Sequence, residues 1–220
     1  MRIEEILINH ITNTSTGIPL DKIEGIYLYG SRVYRSATED SDWDFVVINS
    51  AGVDYEYMSA EIDIHYISTE TFQRKLEDHD IMCLETYYQN IQGDPIMYYD
   101  IDFTLDLAKL RKSVSSTCNN SFVKFKKKLT LENEDNYIGI KSLFHSLRIA
   151  EMGRKLAINK NNALIAEPYV WEKIKVDATF FKFNWESLHE KYKPLYNEVM
   201  SDFRKVAPKT PNEKKKDKDV

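Results

Sequence analysis

The residues of this chain whose types and spacing suit chemistry are three carboxylates and a Gly-Ser pair. Asp42 and Asp44 flank a tryptophan at the start of one apolar run, DWDFVVI, and Asp63 stands inside another, EIDIHYI. Carboxylates are seldom buried without a compensating partner. Successive residues of an extended chain point to opposite faces. Asp42 and Asp44 therefore share one face while Trp43, Phe45 and Val47 point into the core. In the same way Asp63 and His65 face one side, and Ile62, Ile64 and Tyr66 the other. If the two strands are neighbours, three anions meet on one strip of sheet and repel one another unless a cation sits among them. Hard oxygen ligands of this kind suit Mg²⁺.

Gly30-Ser31 closes the preceding apolar run in LYGS. Glycine lets the backbone approach a ligand closely, and Ser31 offers an amide and a hydroxyl to a phosphate. Arg32 adds a positive charge beside them. Backbone donors at one end and a carboxylate cluster at the other form a machine for metal-assisted transfer of a phosphate-bearing group.

These groups need a sheet to position them. Three β-rich runs, Gly25–Tyr29, Asp42–Ile48 and Glu61–Ile67, supply it. A first helix is predicted over residues 2–13, from the spacing of Ile3, Ile6, Leu7 and Ile11. Ser68 or Thr69 caps a helix reaching about Asp78, and another covers Ile81–Gln89. Gly93-Asp94-Pro95 breaks the chain. Beyond it the spacing turns helical, over Leu105–Thr117, Asn120–Leu131, Tyr137–Ile158 and Trp185–Lys205, while Trp171–Phe183 fits no pattern. The expected architecture is α+β: a small mixed β-sheet core in residues 1–100, a helical part in 101–206 and a disordered basic tail in 207–220.

The pattern GS, ten residues, DWDFVV, then a strand of hydrophobic-Asp-hydrophobic type resembles the DNA-polymerase-β-like nucleotidyltransferase superfamily. The match spans roughly Ile23–Ile67. The resemblance implies that Gly30 and Ser31 form the nucleotide-phosphate turn and that Asp42 and Asp44 ligate metal. Asp63 becomes the third metal ligand and the base for the attacking hydroxyl. It implies Mg²⁺ or Mn²⁺, two ions, and transfer of a nucleoside monophosphate from an NTP such as ATP to a hydroxyl with loss of pyrophosphate. Many small members read GSRxxG, whereas the later glycine position here is Arg35. The chain also looks similar to small stand-alone nucleotidyltransferases of bacteriophages and large DNA viruses.

Charge divides unevenly. Residues 1–100 hold 19 acidic and 6 basic residues, against 16 and 24 in residues 101–220, for a net charge of −5 overall. Such asymmetry fits a metal-binding half beside a phosphate-binding half, or simply two differently solvated surfaces. In the helical part, Lys141, His145 and Arg148 recur on one narrow stripe, a cationic ridge that suits a triphosphate or an acceptor phosphate, or else a solvated face. Lys124, Lys126, Lys127 and Lys128 extend the basic character, which favours RNA or another nucleic-acid end as acceptor. A protein side chain or a small molecule is the alternative acceptor, and a catalytically silent antitoxin or regulatory module is the alternative function. Cys83 and Cys118 are too few for a disulfide framework. No apolar run is long enough for a membrane span, and a cytoplasmic protein is expected.

Overall fold

The computed structural model describes Leu7, Ile11 and residues 17–92, 96–131, 135–159 and 168–209. The chain divides into two compact units, Met1–Thr104 and Leu105–Val220.

The first unit is built on four strands, Ile23–Tyr29 (β1), Trp43–Asn49 (β2), Tyr55–Met58 (β3) and Ile62–Ser68 (β4), in the order β1-β2-β4-β3. β2 runs antiparallel to β1 and parallel to β4, and β3 is antiparallel to β4. One face of this mixed sheet presents Ile26, Phe45, Val47, Ile62, Ile64 and Tyr66 to a core that includes the helical residues Leu7 and Ile11. Burying Phe45 and Val47 contributes about 1.5–3 kcal/mol each. A one-residue slip of β2 would turn both out and Asp44 in, so the apolar pattern fixes which face carries the carboxylates. After β1 comes a single helical turn, Gly30–Val33 (α1); Thr69–Glu77 (α2) and Ile81–Gln92 (α3) follow β4. The Ser68 hydroxyl caps α2, accepting from the Thr71 amide.

Among the described residues the second unit holds four helices: Leu107–Thr130 (α4), Asn136–Asn159 (α5), Pro168–Phe180 (α6) and Trp185–Val206 (α7). α5 is its centre, buried along most of its length from Gly139 to Leu156. Gly153 permits a close approach: a Cβ there would lie 2.9 Å from Val114 on α4 and 3.0 Å from Phe203 on α7.

Several boundaries differ from the sequence expectation. The expected helices 105–117 and 120–131 are one helix, because Leu110, Val114, Cys118, Phe122, Phe125 and Leu129 form one unbroken buried stripe. The unassigned 171–183 segment lies mostly in α6. β3 was not foreseen. β2 begins at Trp43, which leaves Asp42 on the loop before it. Most of the expected helix over 2–13 with His10, the Gly93-Asp94-Pro95 break and the tail from 210 lie outside the described residues. Among the described residues no helix is long and apolar enough to cross a membrane.

Candidate active site

Asp44 and Asp63 face each other across the parallel β2–β4 pair, directly in register. Asp42, at the mouth of β2, joins them. One carboxylate oxygen from each of Asp42, Asp44 and Asp63 lies within 4.8 Å of the others, and all three residues are half-buried. The Ser59 amide donates to Asp63 Oδ1 at 3.3 Å, and Ser59 Oγ donates to the Ile62 carbonyl at 2.9 Å, fixing the turn that leads into β4. Three carboxylates this close repel one another, and a cation held between them would relieve that repulsion.

Gly30 lies against this cluster. Its φ is +71°, and a Cβ built on it would fall 1.9 Å from Asp44 Oδ2 and 2.5 Å from its Cγ. Any other residue would push the carboxylate away. The next residue, Ser31, is 3% exposed, and its Oγ has no hydrogen-bond partner among the described residues. An orphaned buried hydroxyl costs about 1–3 kcal/mol, which a bound phosphate oxygen would offset. A cluster of oxygen ligands, a backbone cradle open only to glycine, and an unsatisfied hydroxyl together fit a divalent cation with a polyphosphate beside it.

The Arg32 guanidinium donates to the carbonyls of Ser41 and Asp42, the latter at 3.1 Å, and stacks 3.9 Å above the Trp43 ring. Held this way it braces the loop that carries Asp42. Arg35, at the later glycine position of the GSRxxG pattern that the sequence resembles, has a φ of +56°. The turn keeps the glycine-like backbone without the glycine.

Sequence reasoning missed two neighbours. Glu85 of α3 is fully buried and accepts a hydrogen bond from the hydroxyl of Tyr34, the residue after α1, at 2.5 Å. Its one signal was a lone acid inside the apolar IMCLETYY segment. The second is Glu56 of β3, which pairs with His65 Nδ1 at 3.4 Å.

Lys141, His145 and Arg148 belong to the second unit, and the ridge they form is not three cations. Burial, then the charges of Arg148, Lys141 and Lys124, hold the His145 imidazole well below its ordinary pKa, so it is neutral near pH 7. Arg148 is buried, with its Nη2 3.5 Å from His145 Nδ1. A solvated face is therefore excluded for this residue.

Residues 9–93, which include Gly30, Ser31 and all three aspartates, match the family model Polymerase beta, Nucleotidyltransferase. No curated protein matches the chain. Among solved structures, a nucleotidyltransferase-like protein from Exiguobacterium sibiricum is 15% identical, with 92% of this chain and 74% of that one covered and a TM-score of 0.31. A spectinomycin adenyltransferase from Enterococcus faecialis, crystallised with ATP and spectinomycin, is 12% identical over 91% of this chain and 99% of its own, with a TM-score of 0.41. Residues 9–93 thus carry the sequence pattern of the polymerase-β nucleotidyltransferase family.

Proposed function

We propose that the chain transfers a nucleoside monophosphate from an NTP, ATP foremost, to a hydroxyl and releases pyrophosphate. The observation that carries this reading is the convergence of Asp42, Asp44 and Asp63 on one point beside Gly30. Mg²⁺ or Mn²⁺, two ions, would be held by these three carboxylates; when bound, they supply the positive charge that makes a triphosphate attackable. The chain's own groups do the rest. Gly30 and Ser31 offer amides and the Ser31 hydroxyl to the departing phosphates, the end of the substrate that gains charge as the bond breaks. Arg32 keeps the Asp42 loop in place through the Ser41 and Asp42 carbonyls. Asp63 Oδ takes the proton of the attacking hydroxyl.

Incubation with Mg²⁺ and each NTP labelled on its α-phosphate tests the reading. Label is expected to move to an acceptor present in nucleic acid, protein or small-molecule fractions of a cell extract. The Asp42→Ala/Asp44→Ala double variant is expected to transfer roughly a hundredfold less or worse, as loss of electrostatic stabilisation generally costs. Undiminished labelling by that variant contradicts the assignment. NTP binding without transfer to any fraction would point instead to a silent regulatory module.

A further inference from the structure

We propose that Arg32 and Trp43 are positioning residues for the metal: guanidinium and indole form one brace that holds Asp42 where its carboxylate can share a divalent cation with Asp44 and Asp63. This rests on the transferase reading above and assigns what the metal affinity of that same site depends on.

Asp42 is the ligand that the sheet does not fix. Asp44 and Asp63 face each other in the β2–β4 ladder, and Asp44 is also paired with Tyr29 of β1. That ladder begins one residue after Asp42, at Trp43 opposite Ile62, where the Trp43 amide donates to the Glu61 carbonyl at 2.8 Å. Asp42 itself ends a loop that turns at Thr38–Ser41. There the Ser41 amide donates to the Thr38 carbonyl at 3.2 Å and the Thr38 amide to Ser41 Oγ at 2.9 Å. These bonds tie the loop to itself and not to the sheet.

Arg32 supplies the tie. It stands in α1, next to Ser31, and its Nε donates to the Asp42 carbonyl at 3.1 Å while Nη2 donates to the carbonyl of Ser41. Its planar fork thus grips two successive peptide groups. The same guanidinium lies 3.9 Å from the centroid of the Trp43 ring, within the range at which a cation is drawn to an aromatic face. Trp43 in turn packs against the core of the first unit. Packing alone does not hold the loop, because a cavity of about 260 Å³ is lined by its residues Glu39, Asp40 and Ser41 and by Glu61 before β4. Arg32 and Trp43 line that cavity too, and its acids favour keeping a guanidinium in place.

Arginine suits this task and lysine does not. A guanidinium presents its donors in one rigid plane and can stack, whereas an ammonium is a point charge on a flexible stem. A phosphate is served by either, so the two side chains separate a brace from a direct phosphate contact. Groups that orient metal ligands from behind typically set metal affinity by roughly ten- to hundredfold. Because α1 also carries Ser31, the brace joins the phosphate turn to the loop of a metal ligand.

The test titrates the nucleotide-free full chain with Mn²⁺, reading bound ion from the loss of the free-ion EPR signal, with Tm recorded beside it. Arg32→Lys keeps the charge and removes the fork; Trp43→Leu removes the aromatic face, and Trp43→Phe keeps one. Mn²⁺ affinity is expected to fall roughly tenfold or more in Arg32→Lys and in Trp43→Leu, and to stay within about threefold in Trp43→Phe. The Arg32→Lys/Trp43→Leu double variant is expected to lie within about twofold of the weaker single one, because both changes break one brace. At saturating Mg²⁺ the KM of Arg32→Lys for ATP is expected to stay within about twofold of the original. Unchanged Mn²⁺ affinity in Arg32→Lys overturns the proposal, whatever Trp43→Leu does to folding. A raised KM for ATP in its place would make Arg32 a direct phosphate contact. Losses that multiply in the double variant, or a Trp43→Phe variant as weak as Trp43→Leu, overturn it as well. No Mn²⁺ bound by the unaltered chain contradicts the metal-site reading itself, and this one with it.

Discussion

At the scale of single residues, the site depends on what glycine lacks. Gly30 combines a φ of +71° with a backbone so near the Asp44 carboxylate that a Cβ would lie 1.9 Å from its Oδ2. Alanine there pays about 1–2 kcal/mol for the left-handed backbone and must also displace Asp44. Gly30→Ala is expected to lower kcat/KM for the NTP roughly a hundredfold, with a smaller loss of Tm, measured by transfer kinetics beside thermal unfolding. An unchanged kcat/KM would show that the contact does not matter. Arg35 shows the reverse case. Its φ is +56°, a left-handed backbone adopted by a residue that has a Cβ, at a cost glycine would avoid. That Asp44 and Asp63 share a face was legible because alternation in a strand is a two-state signal, whereas Asp42 stands on the loop before β2. Arg32 was not, because its direction depends on the Ser41 and Asp42 carbonyls and the Trp43 ring, which no local pattern encodes.

Elements position these residues through a few polar ties. α1 is only one turn long, and it is anchored by the Tyr34 hydroxyl on buried Glu85 of α3. Removing one partner of a buried hydrogen bond costs more than replacing it with a group that can still accept. Glu85→Gln, which keeps an acceptor, is expected to leave the KM for ATP within about twofold, whereas Tyr34→Phe raises it several-fold with kcat little changed. Equal KM values for all three proteins would detach this tie from the phosphate turn. In the second unit, α5 carries His145, whose folded pKa lies below its unfolded value because of burial first and Arg148, Lys141 and Lys124 next. Below about pH 6.5 the unfolded chain binds a proton that the folded chain refuses. Stability is thus full above that pH and falls as pH drops. His145→Gln is expected to flatten the decline of Tm between about pH 7 and pH 5; a slope identical to the original would assign the decline to other groups. Helix extents were partly legible. Cys118-Asn119-Asn120 reads as a break because asparagine is a weak helix former, but the buried stripe through Cys118 and Phe122 carries α4 across it. α6 was hidden by exposed Val176 and Phe180, which blur the stripe of Trp171, Ile174 and Ala178. β3 has no apolar alternation, since Tyr55, Glu56 and Met58 are all exposed.

The whole molecule joins an acidic unit that carries the carboxylates to a helical unit in which bases predominate, and the sequence already displayed that division in its charges. Composition spoke less clearly about the acceptor. The basic second half favoured RNA, but charge counts over long segments cannot resolve which surface meets a substrate. In the proposed reaction the bond that breaks lies between the α-phosphorus and pyrophosphate. Pyrophosphate release from ATP, followed with an enzyme-coupled assay in the presence of Mg²⁺ and a cell extract, measures it directly. The account predicts pyrophosphate in step with α-label transfer, no orthophosphate in its place, and loss of both when Asp42 and Asp44 are alanine. Release of orthophosphate, or pyrophosphate formed equally well by that double variant, would contradict it.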